Sequence, residues 1–154
     1  MPENLNIKTA LNKAMALCAR RELCSEDIRI KLNSWGLNET DASKVIGILI
    51  RENFINENRY ANAFVKDKFR YNKWGRVKIA AHLSAKKIGA EAIRSALESV
   101  GEDQYRQTVR DILSAHRKSI KAKNQYDLKG KLMRFGLSRG YESNLLYDIL
   151  NENE

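Results

Sequence analysis

The side chains of this chain best suited to chemistry are cations set among aromatics at helical spacing, and what they suit is attraction of an anionic polymer or surface. Residues 58–88 read NRYANAFVKDKFRYNKWGRVKIAAHLSAKKI, with ten Lys, Arg or His residues. On a helix, Arg59, Lys66 and Arg70 fall within an arc of about 40°, opposite the apolar side with Tyr60, Phe64 and Tyr71. Arg106, Arg110, Arg117 and Lys121 share an arc of about 60°, beside Tyr105, Val109, Ile112, Leu113 and Ile120. A solvated face is the commoner meaning of such a stripe. Neither stripe contains an acid, however, and self-repulsion without a partner is a cost that favours a binding face. Lys73, Arg76 and Lys78 flank Trp74 and Gly75 at a helix junction. Trp74 has two readings, an indole open to a partner or a plug between helices, the more frequent role for a single Trp. Trp35, one residue before Gly36, has the same two readings.

Enzymatic chemistry finds little to work with. His82 and His116 are the only histidines, and His116 sits on the apolar side of its helix, where a packing role is usual. No Walker-type glycine loop, metal-ligand spacing or Ser, His and acid set is present. Glu26 with Asp27 and Glu39 with Asp41 fit helix first turns, where negative charge favours the macrodipole. Cys18 and Cys24, six apart on an expected helix, point to different faces and read as buried free thiols. No catalytic residue, cofactor or metal is expected. IRIKLNSWGLNETDASKVIGIL could form a helix-turn-helix, which demands base-reading side chains on its following helix. ETDASKVIGIL, AEAIRSALESV and GYESNLLYDIL carry acids there instead. Sequence-specific DNA recognition is thus disfavoured, whereas non-specific, salt-sensitive contact remains open.

Charge is blocky within the net +9. Residues 59–89 carry nine basic and one acidic side chain, and 104–139 carry ten and two; the intervening and terminal stretches are balanced or acidic. Such patterning suits phosphates or an acidic protein groove. One proline and eight glycines in 154 residues argue for ordered structure throughout. No apolar run approaches a membrane span, and MPENLNIKTALNKA lacks a signal-peptide core, so a cytoplasmic location is expected.

The elements that must position these residues are all helical, with apolar positions at i, i+3, i+4 and i+7 and no clean alternation. Asn38, Asn56 and Ser138 are expected N-caps, and Gly36, Gly75, Gly89 and Gly136 expected turns. IRIKLNSWGL (28–37), IAAHLSAKKI (79–88) and LKGKLMRFGL (128–137) superpose, and the following helices keep register through Ile46, Leu97 and Leu146. Each unit reads as a long first helix, a short second and a third. The first helices are expected over 9–23, 57–71 and 103–121. The fold expected is all-α: three tandem three-helix repeats at 7–55, 56–102 and 103–152, forming an elongated, curved array.

These residues resemble the RecX family of regulatory proteins. AMALCARRELCSEDIRIKL is similar to the family's stretch of alanine, leucine and arginine leading to Ser, an acid and Lys-Leu. FINENRYANAFVKDKFRYNKWGRVKIAAHLSAKKI is similar to its FIDD-like turn, R-[FY]-A-x-x-[FY]-V, basic run with glycine and closing L-x-x-K-G-I. Asn56 and Glu57 stand where paired aspartates are common. Lys87 replaces a glycine, and Gly89 is expected to supply the flexibility there.

The resemblance implies a non-catalytic regulator in DNA repair, recombination and the SOS response, which binds the RecA–DNA filament and inhibits its ATPase and strand exchange. It implies a monomer that contacts single- and double-stranded DNA weakly and without sequence preference, and no membrane. The expected contact residues are Arg59, Lys66, Arg70, Lys73, Arg76, Lys78, Arg106, Arg110, Arg117 and Lys121. The alternatives are a non-specific DNA-binding protein acting without a recombinase, and an adaptor for another acidic partner.

Overall fold

The computed structural model describes residues 6–152, and every regular element within them is an α-helix. The order is α1 (Ile7–Arg20), α2 (Ser25–Ser34), α3 (Glu39–Arg51), α4 (Glu57–Arg70), α5 (Arg76–Ala85), α6 (Ala90–Glu98), α7 (Glu102–Arg117), α8 (Gln125–Ser138) and α9 (Ser143–Leu150). They form three successive three-helix repeats.

Side-chain caps start several of these helices. The Asn38 side chain accepts from the Asp41 N–H and that of Asn56 from the Arg59 N–H, at 2.8 and 2.9 Å, as the sequence predicts. Asn6 and Asn124 do the same for α1 and α8. Ser138 is no N-cap: it closes α8, and the cap position of α9 is Glu142.

A shared turn defines the repeats. The N–H groups of Leu37, Ile88 and Tyr141 donate back to the carbonyls of Leu32, Leu83 and Gly136, each at 3.1 Å. The residue before each donor is left-handed: Gly36 at φ +88°, Lys87 at +62° and Gly140 at +92°. Lys87 itself therefore takes the strained conformation that the sequence assigns to Gly89.

In the third repeat the expected register is early by four residues, because one helical turn returns an apolar pattern to the same face. Tyr141, not Leu137, is the buried counterpart of Leu37 and Ile88; Leu137 is 47% exposed and Tyr141 1%. Gly136 is thus helical, not a turn. A Cβ there would meet Leu146 Cδ2 at 2.5 Å, so its bareness lets α9 approach α8.

All three first helices stop short of expectation. Past Arg117, the Ser119 hydroxyl and N–H both donate to the His116 carbonyl, at 2.8 and 3.0 Å, and draw the chain into a tight turn. α4 ends at Arg70 because Lys73 is left-handed (φ +57°) and the Trp74 N–H folds back to the Lys68 carbonyl at 3.1 Å. α1 ends at Arg20, so Cys18 and Cys24 lie on different elements; both are free, with Cys24 buried and Cys18 half-buried.

The described chain divides into two compact units, 6–63 with 83–93, and 64–82 with 94–152. In the first, α3 packs against α1 and α2. Ala10, Ala14, Ile28, Leu32, Val45 and Leu49 are fully enclosed there. Burial of each large aliphatic side chain contributes about 1.5–3 kcal/mol.

In the second unit, α8 packs against α7 and α9. Its interior includes Val65, Phe69, Ile79, Tyr105, Val109, Leu132, Tyr141 and Leu146. The start of α5 docks on the α8–α9 turn through backbone: the Gly75 N–H donates to the Arg139 carbonyl at 2.7 Å and the Val77 N–H to the Gly140 carbonyl at 2.9 Å. A Cβ on Gly75 would sit 2.3 Å from Gly140. Only glycine permits that approach.

Candidate nucleic-acid and partner interface

The connection between α4 and α5 holds a cluster of cations and aromatics in the second unit. Its backbone is fixed from below: the Tyr141 hydroxyl donates to the Lys73 carbonyl at 2.5 Å, and an Arg139 N–H to the Asn72 carbonyl at 3.2 Å. Burial pushes the Tyr141 hydroxyl up to about 12, so it remains a donor at neutral pH. The turn is thereby rigid enough to present side chains.

Trp74 takes the plug reading and leaves no indole face open to a partner. Phe64 meets the indole edge-on at 6.4 Å and the His82 ring lies 4.5 Å away, as for a plug. Two ammonium groups also rest on it, Lys78 at 4.5 Å and Lys68 at 5.1 Å. Cation–π attraction stabilises each such contact by roughly 0.5–1 kcal/mol at exposed sites and holds the charge in one place. Among the described residues Lys68 has only its neighbour Asp67 as a counter-ion, at 3.9 Å. Lys66 and Arg70 are exposed and make no ion pair among the described residues.

Tyr71 departs from expectation. The periodicity places it on the apolar side of the first helix, yet α4 ends one residue earlier and the ring is 74% exposed. A helix-wheel argument cannot see past the helix end. The nearby Lys73 and Trp74, which the sequence does mark, are the only signal that could have found it.

The remaining sequence-predicted residues separate into charges used internally and charges left open. In the first unit Arg59 is half-buried, not solvent-facing: its guanidinium pairs with Glu22 and donates to the Asn53 and Phe54 carbonyls at 3.1 and 3.2 Å. In the second unit Arg76 donates to Glu142 at 3.0 Å and to Glu102 at 2.6 Å. Desolvation opposes the charge on Arg76, but the two carboxylates outweigh it and raise its affinity for the proton.

Arg106 pairs with Glu102 at 3.3 Å, and Arg110 with Glu152 at 2.7 Å. Arg117 is exposed at the end of α7; Lys121 is exposed but beyond that helix, so it does not share the expected arc. His116 stacks on Phe135 with ring centroids 3.6 Å apart, the packing role its position predicts.

The first unit holds a cavity of about 680 Å³, lined in part by Arg29, Glu39, Lys86, Lys87 and Glu26. Its cations are spoken for: Arg29 pairs with Glu39, Lys86 with Asp27 at 2.5 Å and Lys87 with Glu26 at 3.5 Å. Among the described residues no group of three or more His, Cys, Asp or Glu could hold a metal ion, and no helix is long and apolar enough to cross a membrane.

Together these features define an all-helical repeat protein with a cationic, aromatic-bearing turn in its second repeat. The family sequence model described as "RecX, second three-helix domain" matches residues 56–97, the helices that build that turn. A protein of Clostridium botulinum (strain Eklund 17B) named "Regulatory protein RecX" is 30% identical over 129 residues, which cover 82% of this chain and 60% of that one. A Clostridium acetobutylicum protein of the same name is 30% identical over 155 residues, 97% of this chain and 71% of its own.

The crystal structure of RecX from Lactobacillus salivarius superposes with a TM-score of 0.82 at 22% identity, covering 95% of each chain. A second crystal structure, of a "regulatory protein RecX", gives 0.86 at 17% identity, covering 96% of this chain and 72% of that one. The chain belongs to the RecX family. It spans 60–71% of the length of these two Clostridium relatives.

Proposed function

We propose that this protein is a non-catalytic regulator that binds the RecA–DNA filament and lowers its ATPase and strand-exchange activities. The observation that carries the reading is the α4–α5 turn, where Lys66, Arg70, Lys68 and Lys78 offer positive charge with no strong carboxylate partner beside them. Uncompensated charge on a rigid support attracts an anionic assembly and gains nothing from solvent alone.

Lys66, Arg70, Lys73, Lys78, Arg117 and Lys121 make the contact under this reading. Arg59, Arg76, Arg106 and Arg110 are already paired with carboxylates and serve chiefly to hold the helices. Three repeats, at 7–55, 56–102 and 103–152, would each add weak contacts along a filament, and such contacts sum by multivalency. The protein acts in the cytoplasm as a monomer. Duplex or recombinase protomer contacts displaced by its occupancy account for the inhibition.

A second reading, a DNA-binding protein needing no recombinase, draws on the same cluster, because cations beside aromatics also suit bare nucleic acid. The two differ in preference. Binding to recombinase-coated single strands should exceed binding to bare strands at each salt concentration, and recombinase ATPase should fall as this protein is added. Equal affinity for coated and bare DNA with unchanged ATPase would replace the first reading with the second. Lys66→Glu with Arg70→Glu should remove the inhibition while leaving the thermal midpoint in place.

A further inference from the structure

Tyr71 is an aromatic side chain with 74% of its surface in water, at the tip of a turn that the fold holds rigidly. A single exposed ring is ordinary, and Tyr126 and Tyr147 are also exposed, at 89% and 64%; what marks Tyr71 is the fixed turn that carries it and the cations around it. Around it in sequence lie Arg70, Lys73 and the Trp74 indole that carries Lys68 and Lys78. Trp74 cannot itself offer a free face, since Phe64, His82 and the two ammonium groups surround it. Its role is to hold charge in position. The role left to Tyr71 is contact.

We infer that the α4–α5 turn is a single-strand site: Tyr71 stacks on an unpaired base, and Lys68 and Lys78, steadied by Trp74, take the flanking phosphates. The inference deepens the proposed function by naming the nucleic-acid form that this turn engages. The occupant follows from charge and shape. Cations here lack strong counter-ions, which selects an anionic partner, and the exposed ring beside them adds a flat face on which a base can stack. A duplex hides its base faces within the stack and offers phosphates alone, whereas a single strand offers both. An acidic peptide would supply charge without a partner for the ring.

The two components predict separable effects. Tyr71→Ala removes the stack and leaves every cation, so it weakens single-strand binding and spares duplex binding. Tyr71→Phe keeps the ring face and retains affinity. Lys78→Ala weakens both forms and lowers the salt dependence of each, because a phosphate contact is lost.

Fluorescence anisotropy with a labelled 15-nucleotide oligo-dT and a 15-base-pair duplex, at fixed ionic strength, reads these effects on the full chain. The expected result is a loss of about tenfold, equivalent to about 1.4 kcal/mol, for Tyr71→Ala on oligo-dT. Duplex affinity should stay within about twofold. An equal loss on both probes, no loss on either, or a wild-type protein that does not bind oligo-dT would overturn the inference, as would a Tyr71→Phe variant as weak as Tyr71→Ala. Circular dichroism of each variant separates misfolding from lost contact.

Recombinase ATPase measured on the same preparations keeps the two proposals apart. Inhibition by the wild type alongside unselective Tyr71→Ala binding sinks the single-strand site and leaves the regulator. A selective single-strand loss in a wild type without effect on the recombinase sinks the regulator and leaves the site.

Discussion

Arg76 and Tyr105 meet twice: the Arg76 backbone N–H donates to the Tyr105 hydroxyl at 3.0 Å, and the Arg76 guanidinium lies 3.8 Å from the Tyr105 ring centroid. The hydroxyl then donates to Glu142 at 2.5 Å, while Glu142 accepts from Arg76 at 3.0 Å. The first turn of α5, the core of α7 and the cap of α9 are closed into one ring of charge-assisted hydrogen bonds. Burial and the Glu142 carboxylate raise the Tyr105 hydroxyl far above the ordinary tyrosine value, keeping it a donor. A residue that looks like part of a binding stripe in the sequence is thereby a clamp in the structure.

Tyr105→Phe keeps the ring against Phe69 and Tyr141 but strands the Arg76 N–H and one oxygen of Glu142, Oε1, while Oε2 keeps its bond from the Arg76 guanidinium. A loss of about 2 kcal/mol is expected. Urea unfolding followed by circular dichroism measures it. An unchanged midpoint would show that water replaces the hydroxyl without cost.

Gly75→Ala places a methyl 2.3 Å from the Gly140 backbone, which cannot swing aside as a side chain could. Destabilisation by more than about 2 kcal/mol is expected. Gly47→Ala is the matched control: it lies in α3, nothing stands within 4 Å of the added carbon, and helix propensity favours alanine by about 1 kcal/mol. Thermal melts of both variants should move in opposite directions.

Lys87 is left-handed at φ +62° where its counterparts are glycines. Lys87→Gly should raise stability by about 0.5–1 kcal/mol, since relief of strain outweighs an exposed ion pair with Glu26. A lowered melting temperature would contradict this.

Asp27 and Lys86 form a pH-dependent link. Burial pushes the Asp27 carboxyl up, but the Lys86 ammonium and the Cys24 N–H outweigh it and leave the group below its ordinary 3.8. A depressed carboxylate contributes stability above its unfolded value and loses it as pH falls through the folded one. The partner Lys86 is raised above 10.5, mainly by its hydrogen bond to Asp27, so its share is present below that pH and is lost as pH climbs through the raised value. Wild type and Asp27→Asn should therefore differ by about 1 kcal/mol at pH 7 and converge towards pH 3. Urea midpoints at the two pH values give the difference.

Arg59→Glu sets a carboxylate against Glu22, whose second oxygen is already buried without a partner. It should destabilise by about 2 kcal/mol and leave a folding defect rather than a clean binding defect. Lys66→Glu with Arg70→Glu should leave the melt within about 0.5 kcal/mol of wild type, because both positions are solvated. If the two experiments gave the reverse pattern, the division into clamps and open charges would fail.

The sequence by itself determined that the chain is helical, repeats three times and gathers its positive charge in two blocks, because periodicity and composition are local properties. Its resemblance to the RecX family is read from packing positions and basic residues, and the comparisons bear out the family. Local patterns could not fix the register of the third repeat, since a slip of four residues preserves the face of a helix; only the contact of Gly136 with Leu146 and the burial of Tyr141 decided it.

Nor could they tell an open cation from a clamped one. Arg59 and Arg70 share an arc, yet Glu22, 37 residues away, captures the first, and among the described residues no carboxylate does the same for Arg70. Exposure of Tyr71 likewise depends on where Lys73 turns left-handed and ends α4. Charge is written residue by residue, but the availability of a charge depends on which distant carboxylate the packing brings beside it.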